Sequence, residues 1–163
     1  MKRIAILMMA LLSIMAFSQA KTQSKDNVPE YQISGTGETA AQGTYMVKVS
    51  VLVKKAKDVS DDVISRCAVH GVLFKGFSNQ NTRQTQKPLA GSPSAEASHA
   101  DYFESFFRPG GAAASYADVI GTSRTTTKSG KLYKVTTVVS VNKDQLRKDL
   151  EDAGVIKGLN SIF

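Results

Sequence analysis

The chain has 163 residues, 21 of them Lys or Arg against 14 Asp or Glu, with one cysteine, two histidines and no tryptophan. That length suits a single domain behind an N-terminal segment, and one cysteine excludes an intrachain disulfide. Two histidines and one cysteine fall short of a metal centre built on those residues, and the net charge of +7 is mild and spread along the chain.

The first 20 residues differ from everything after them. Lys2 and Arg3 precede an apolar run from Ile4 to Phe17, and Ser18-Gln19-Ala20 places small residues where a signal peptidase accepts them. Residues 1–20 are therefore expected to be a cleaved signal peptide, with the mature chain starting at Lys21 in the periplasm or outside the cell. The apolar run is shorter than the ~20 residues of a membrane span, so no stable membrane anchor is expected. No cysteine follows the small residues to carry a lipid. Loss of Lys2 and Arg3 takes the net charge from +7 to +5. The densest basic group is Lys54, Lys55 and Lys57, read as a charged strand end, and export argues against nucleic acid as a partner. Residues 21–30 are polar, contain Pro29, and read as a flexible leader to a single domain over 31–163.

Tyr31 and Ile33 begin a first strand, broken or bulged near Gly35 and Gly37. Gly35-Thr36-Gly37 lacks the further glycine of a dinucleotide loop and the Gly-Lys-Ser/Thr of a phosphate loop. After a turn at Gln42-Gly43, the alternation of Tyr45, Val47, Val49, Val51 and Val53 predicts a half-buried strand paired to the first as a hairpin. Ser60 is a helix N-cap ahead of Asp61 and Asp62. Val63, Ile64, Cys67, Gly71 and Phe74 share one side of the helix, Gly71 permits close approach to the sheet, and Gly76 ends it. Residues 78–98 are rich in Asn, Gln, Thr, Ser, Gly and Pro and read as a long exposed loop.

Residues 101–107 (Asp-Tyr-Phe-Glu-Ser-Phe-Phe) form a short helix in which Tyr102 with Phe106 and Phe103 with Phe107 are i,i+4 pairs on two adjoining faces. Pro109-Gly110-Gly111 ends it. A strand follows from Tyr116 through the Thr-rich run to Thr127, then a hairpin turn at Lys128-Ser129-Gly130-Lys131. Tyr133, Val135, Thr137, Val139 and Val141 alternate as the last strand. Asn142 and Gln145 make a capping box for a helix carrying Leu146, Leu150 and Ala153, and Gly154 with Val155 closes it. The apolar end at Leu159, Ile162 and Phe163 is expected to pack back on the domain.

The two halves, Tyr45 to Gly76 and Tyr133 to Gly158, run parallel in plan. The expectation is an α+β two-layer sandwich: a mainly antiparallel sheet of about four strands with two helices on one face, as two ββα units.

Chemistry is thin in this chain. Cys67 and His70 are i,i+3 on one helix without an orienting acid or oxyanion hole, so a buried thiol and a satisfied histidine are the expectation, not catalysis. No cofactor and no metal are expected, and the protein is read as a non-enzyme. Function then falls to Tyr102, Phe103, Phe106, Phe107 and the nearby His99. These offer a surface for an envelope protein or a glycan, or the mouth of a carrier for a small apolar ligand, with a hydrolase or metal enzyme as the third reading.

Residues 68–76 (Ala-Val-His-Gly-Val-Leu-Phe-Lys-Gly), 101–107, and 146–160 (Leu-Arg-Lys-Asp-Leu-Glu-Asp-Ala-Gly-Val-Ile-Lys-Gly-Leu-Asn) resemble segments of a group of small uncharacterised exported proteins of Gram-negative bacteria. That resemblance covers most of the mature chain, implies an exported protein, and transfers no functional residue. The order of elements is similar to periplasmic α/β modules such as penicillin-binding-protein activators and curli-secretion lipoproteins, whose lipobox cysteine this chain lacks.

Overall fold

The computed structural model describes residues 28–36, 40–79, 85–92 and 94–158. The expected signal peptide and leader before Val28, Gly37 and Thr39, and the end of the chain at Leu159, Ile162 and Phe163 lie outside the described residues.

Strand β1 (Tyr31–Gly35) pairs antiparallel with β2 (Thr44–Val53), with Tyr31 opposite Val51 and Gly35 opposite Val47. The valines at 47, 49 and 51 are completely buried, as their two-residue period requires on a sheet covered on one side. Helix α1 (Asp61–His70) starts where Ser60 Oγ accepts from the Val63 N–H at 3.3 Å. It continues as one π turn, Gly71–Lys75, and stops at Gly76 with φ +67°. Gly71 lies against β1, where a methyl group on its Cα would stand 2.6 Å from Ile33 Cδ1 and 3.2 Å from Tyr31 Cε2. A side chain there would lift the helix off the strand.

The polar stretch 78–98 has more structure than its composition suggests. β3 (Phe77–Ser78) pairs with β4 (Thr85–Gln86). The Leu89 and Ala90 N–H groups then donate to the carbonyls of Val72 and Leu73 at 2.9 and 3.0 Å, satisfying acceptors that the end of a helix leaves free. Leu89 is buried, and a helical turn, α2 (Ser94–Ser98), leads into α3 (Ala100–Phe107). Composition marked this segment as loop because each ladder is only two residues long, too short for any period to register.

A 3-10 turn (Ala112–Tyr116) leads to β5 (Ala117–Ser129), Gly130 at φ +60° turns the chain, and β6 (Leu132–Asn142) runs back. The sheet is four-stranded and antiparallel in the order β1-β2-β6-β5. Its centre is the ten-residue register from Thr44 opposite Asn142 to Val53 opposite Tyr133. Each half thus supplies one central and one edge strand. Helix α4 (Lys143–Asp152) begins at Asn142, whose Oδ1 accepts from the Gln145 N–H at 3.2 Å. The Gln145 side chain does not return to the cap; its Nε2 donates to Asp149 Oδ1 at 2.7 Å. At the far end Val155 N–H donates to Leu150 O and Gly154 N–H to Glu151 O, the paired bonds of a helix closed by a left-handed glycine.

Between Ile120 and Thr125 β5 bulges out of register with β6. Ser123 holds the bulge: its hydroxyl donates to Ile120 O at 2.6 Å and accepts from Val138 N–H at 2.7 Å. Arg124 then reaches across to Val59 O and Asp61.

Side chains from α1, α3, α4 and one face of the sheet form one buried cluster. The architecture is therefore the expected α+β two-layer fold, with α2 and α3 added to the two principal helices. Among the described residues nothing covers the opposite sheet face, where Lys48 and Leu52 are exposed and Ser50 is hydrogen-bonded to Thr136 at 2.8 Å. One core residue is out of keeping with its neighbours: the Thr137 hydroxyl is fully buried and has no hydrogen-bond partner among the described residues. Because Val keeps the shape and removes an unpaired polar group, Thr137→Val is expected to raise stability by about 1–2 kcal/mol, read as a higher urea midpoint at constant slope.

Candidate functional site

The four aromatic residues of α3 divide by face. Phe103 and Phe107 are completely buried and Phe106 nearly so, whereas Tyr102 keeps 36% of its surface exposed. Phe103 sits edge-on to Phe74 with centroids 5.0 Å apart, and Phe107 lies beside both Phe106 (5.0 Å) and His70 (5.3 Å). These edge-to-face contacts are the arrangement that ring quadrupoles favour. The i,i+4 pairing holds on both faces, since Tyr102 stacks on Phe106 and Phe103 on Phe107. Phe103 and Phe107 are therefore core residues, Phe106 backs the surface, and Tyr102 presents a ring to solvent.

Buried Arg66 secures the end of this helix. Its Nε and NH2 groups hold Asp62 Oδ2 at 2.9 Å, and NH1 donates to the Phe107 carbonyl at 3.2 Å. A guanidinium at a helix C-terminus faces the negative end of the dipole and satisfies an orphan carbonyl. Beyond it Arg108, Pro109, Gly110 and Gly111 make a type II turn, with Gly110 at φ +71° and the Gly111 N–H donating to Arg108 O at 2.8 Å. A Cβ on Gly111 would lie 2.5 Å from the Phe106 carbonyl oxygen, so glycine is needed for the turn to close over the helix end.

Turn and helix together enclose an outward-facing recess of about 320 Å³, lined by Tyr102, Ser105, Phe106, Arg108, Gly110, Gly111 and Ala112. The Arg108 side chain is exposed and makes no ion pair or side-chain hydrogen bond among the described residues. On the neighbouring side the Tyr116 hydroxyl donates to Asp149 Oδ2 at 2.8 Å, which ties the 3-10 turn to α4. Burial, and then the charge of Asp149, raise the pKa of Tyr102. His99 is placed apart from this recess. It is the N-cap of α3, eight residues before the C-terminal end, or about 12 Å along the axis.

A second polar group is absent from any reading of the sequence. Tyr31 Oη lies 2.6 Å from His70 Nδ1, and His70 Nε2 lies 3.2 Å from Glu96 Oε1. A carboxylate only accepts, so Nε2–H donates to Glu96, and in the neutral imidazole Nδ1 then accepts the Tyr31 hydroxyl. Both imidazole nitrogens are thereby occupied, by partners 39 and 26 residues away in sequence, and no spacing rule reaches that far. His70 is the satisfied histidine expected, through Tyr31 and Glu96 and not through Cys67.

The order Glu–His–Tyr has the form of a proton relay, but its end group is poorly disposed to ionise. Burial first, then the charges of Cys67 and Glu96, hold Tyr31 far above its ordinary value of 10.0. Burial likewise pushes the Cys67 thiol from 9.0 up to about 12, and burial with the bond to Asp149 pushes Tyr116 up to about 12. All three acids are favoured neutral in the fold, so their stabilising contribution is complete below the unfolded values near 9 and 10 and is lost as pH rises toward 12. The urea midpoint is expected to be level to about pH 9 and to fall above it. Tyr31→Phe, which keeps the ring and removes the acid, should flatten the part of that fall above pH 10.

Among the described residues, no three His, Cys, Asp or Glu side chains converge as a metal site, and no helix is long and apolar enough to cross a membrane. Compared with protein-family models, curated proteins and solved structures, the chain finds no match in any of the three.

Proposed function

We propose that this protein is a non-enzymatic, exported module of the cell envelope that holds a carboxylate-bearing glycan of the cell wall in the recess beside Tyr102. The observation that carries this reading is the pairing of an exposed tyrosine ring with a guanidinium, Arg108, that is unpartnered among the described residues, around one concave surface. A ring face packs against the apolar face of a sugar, and a guanidinium offers a carboxylate two parallel N–H groups. A volume of about 320 Å³ is at the small end of the range for ligand sites. The recess lining contains no histidine and no carboxylate, which favours holding over chemical turnover. Burial of Phe103, Phe106 and Phe107 in the core favours this reading over a carrier of an apolar ligand, because a carrier needs those rings to line an internal space.

Co-sedimentation of the purified protein with cell-wall sacculi tests the reading. The parent protein is expected in the pellet. Tyr102→Ala and Arg108→Ala should each lower the bound fraction on the order of tenfold, with thermal midpoints unchanged to within a few degrees. A parent that stays in the supernatant, or variants that pellet as it does, would overturn it.

A further inference from the structure

The register of the sheet gathers lysines that are far apart in the chain. β2 ends at Val53 opposite Tyr133, so Lys54, Lys55 and Lys57 leave the sheet at the same end as the β5–β6 hairpin. Lys128 also lies opposite Tyr133, Lys131 is in the hairpin turn, and Lys134 lies opposite Leu52. Five of these six lysines are exposed and Lys134 is half-buried. None makes an ion pair or a side-chain hydrogen bond among the described residues. The acids nearby are fewer: Glu30 before β1, Asp58 in the turn beside Lys57, and Asp61, which is already bound to Arg124 at 2.6 Å.

Unpaired like charges brought together raise the local potential well above what net charge suggests. The uncovered sheet face adds a second feature at this same end. Leu52 keeps 45% of its surface exposed between Lys134 and Lys54, and Leu132 is on the same face one strand over. An exposed leucine flanked by lysines, with further lysines at the adjoining rim, is an interfacial pattern, in which cations meet headgroup phosphates and the apolar side chain enters the boundary beneath them.

We propose that this end of the sheet is a docking surface for an anionic phospholipid bilayer, with Lys54 and Lys134 beside Leu52 on the uncovered face and Lys55, Lys57, Lys128 and Lys131 around the rim of that end facing lipid phosphates, and Leu52 entering the headgroup layer. The residue types select this occupant over a soluble polyanion or nucleic acid. All six cations are lysines, compact hydrated point charges suited to a diffuse array of phosphates. The arginine forks that read a phosphate or stack on a base are absent from the patch. Leu52 has nothing to gain from a soluble polyanion and gains burial at a bilayer. The surface is separate from the Tyr102 recess, so either can fail without the other.

The test is partition of the purified protein onto vesicles of phosphatidylcholine with and without phosphatidylglycerol. Partition should be strong on the anionic vesicles and weak on the neutral ones, and should fall steeply between about 50 mM and about 500 mM salt. Exchange of Lys54, Lys55, Lys128 and Lys131 for Gln should lower it at least on the order of 100-fold. Leu52→Ala should lower it further on the order of threefold, since it removes about 1 kcal/mol or less of buried apolar surface. All four exchanged lysines are exposed, so the thermal midpoint should hold. Equal partition onto both vesicle types, or an unchanged Lys→Gln variant, overturns the proposal. So does binding of heparin without binding of anionic vesicles.

Discussion

Gly76→Ala is expected to destabilise the fold by about 3–5 kcal/mol, a large share of the roughly 5–15 kcal/mol that holds a typical domain. The residue sits at φ +67°, ψ −175°, a conformation essentially reserved for glycine and costing an L-residue about 1–3 kcal/mol. A Cβ there would also collide with the Gln86 carbonyl oxygen and press on Pro88. Gln86 is backbone of the β3–β4 ladder, and its side chain accepts from the Tyr45 hydroxyl at 3.1 Å, so it cannot step aside alone. Movement would draw Leu89 and Ala90 off the carbonyls of Val72 and Leu73. The measurement is urea unfolding of Gly76→Ala beside Gly91→Ala, whose φ is also positive but which has open space around its Cα. Gly91→Ala should lose only the conformational part, about 1 kcal/mol. Equal losses in the two variants would mean that contact with Gln86 is without consequence.

That collision also shows where sequence patterns stop. The alternations Tyr45 to Val53 and Tyr133 to Val141, the caps at Ser60 and Asn142, and the glycine stops at 76 and 154 were legible because each is a local rule with a fixed period or offset. So was the two-half plan. The ladder between Phe77 and Gln86 was not, because it is specified by what packs on it and not by its own letters. The Tyr31–His70–Glu96 chain was invisible for the same reason, joining a strand, a helix and a stretch that reads as polar linker. The lysine end of the sheet was half visible. Lys54, Lys55 and Lys57 stand together in the sequence, but only the register of β2, β6 and β5 brings Lys128, Lys131 and Lys134 beside them.

The aromatic segment is the case in which a pattern marked a set of residues and left their roles open. A helix with rings on two adjoining faces can bury either face, and only the packing of α3 against α1 and its π turn decides. Two substitutions one residue apart convert that geometry into opposite outcomes. Phe103→Ala removes a completely buried ring in contact with Phe74, Tyr102, Phe106 and Phe107, and the rigid rings around it cannot collapse into the space. The expected loss is about 3–5 kcal/mol. That is about a fifth or more of the roughly 5–15 kcal/mol that holds a typical domain. Phe103→Leu, which fills most of the volume, should lose about 1–2 kcal/mol. Tyr102→Ala removes a partly exposed ring that rests edge-on against Phe103 and stacks on Phe106, so its stability should change by less than about 1 kcal/mol. Chemical unfolding of the three variants reads the first effect and sedimentation with sacculi reads the second. If Phe103→Ala is as stable as the parent, the knot is not the core anchor that its burial implies. If Tyr102→Ala unfolds the protein, then its exposed ring is holding the helix in place, and the surface it shares with Arg108 has a structural role in place of a binding one.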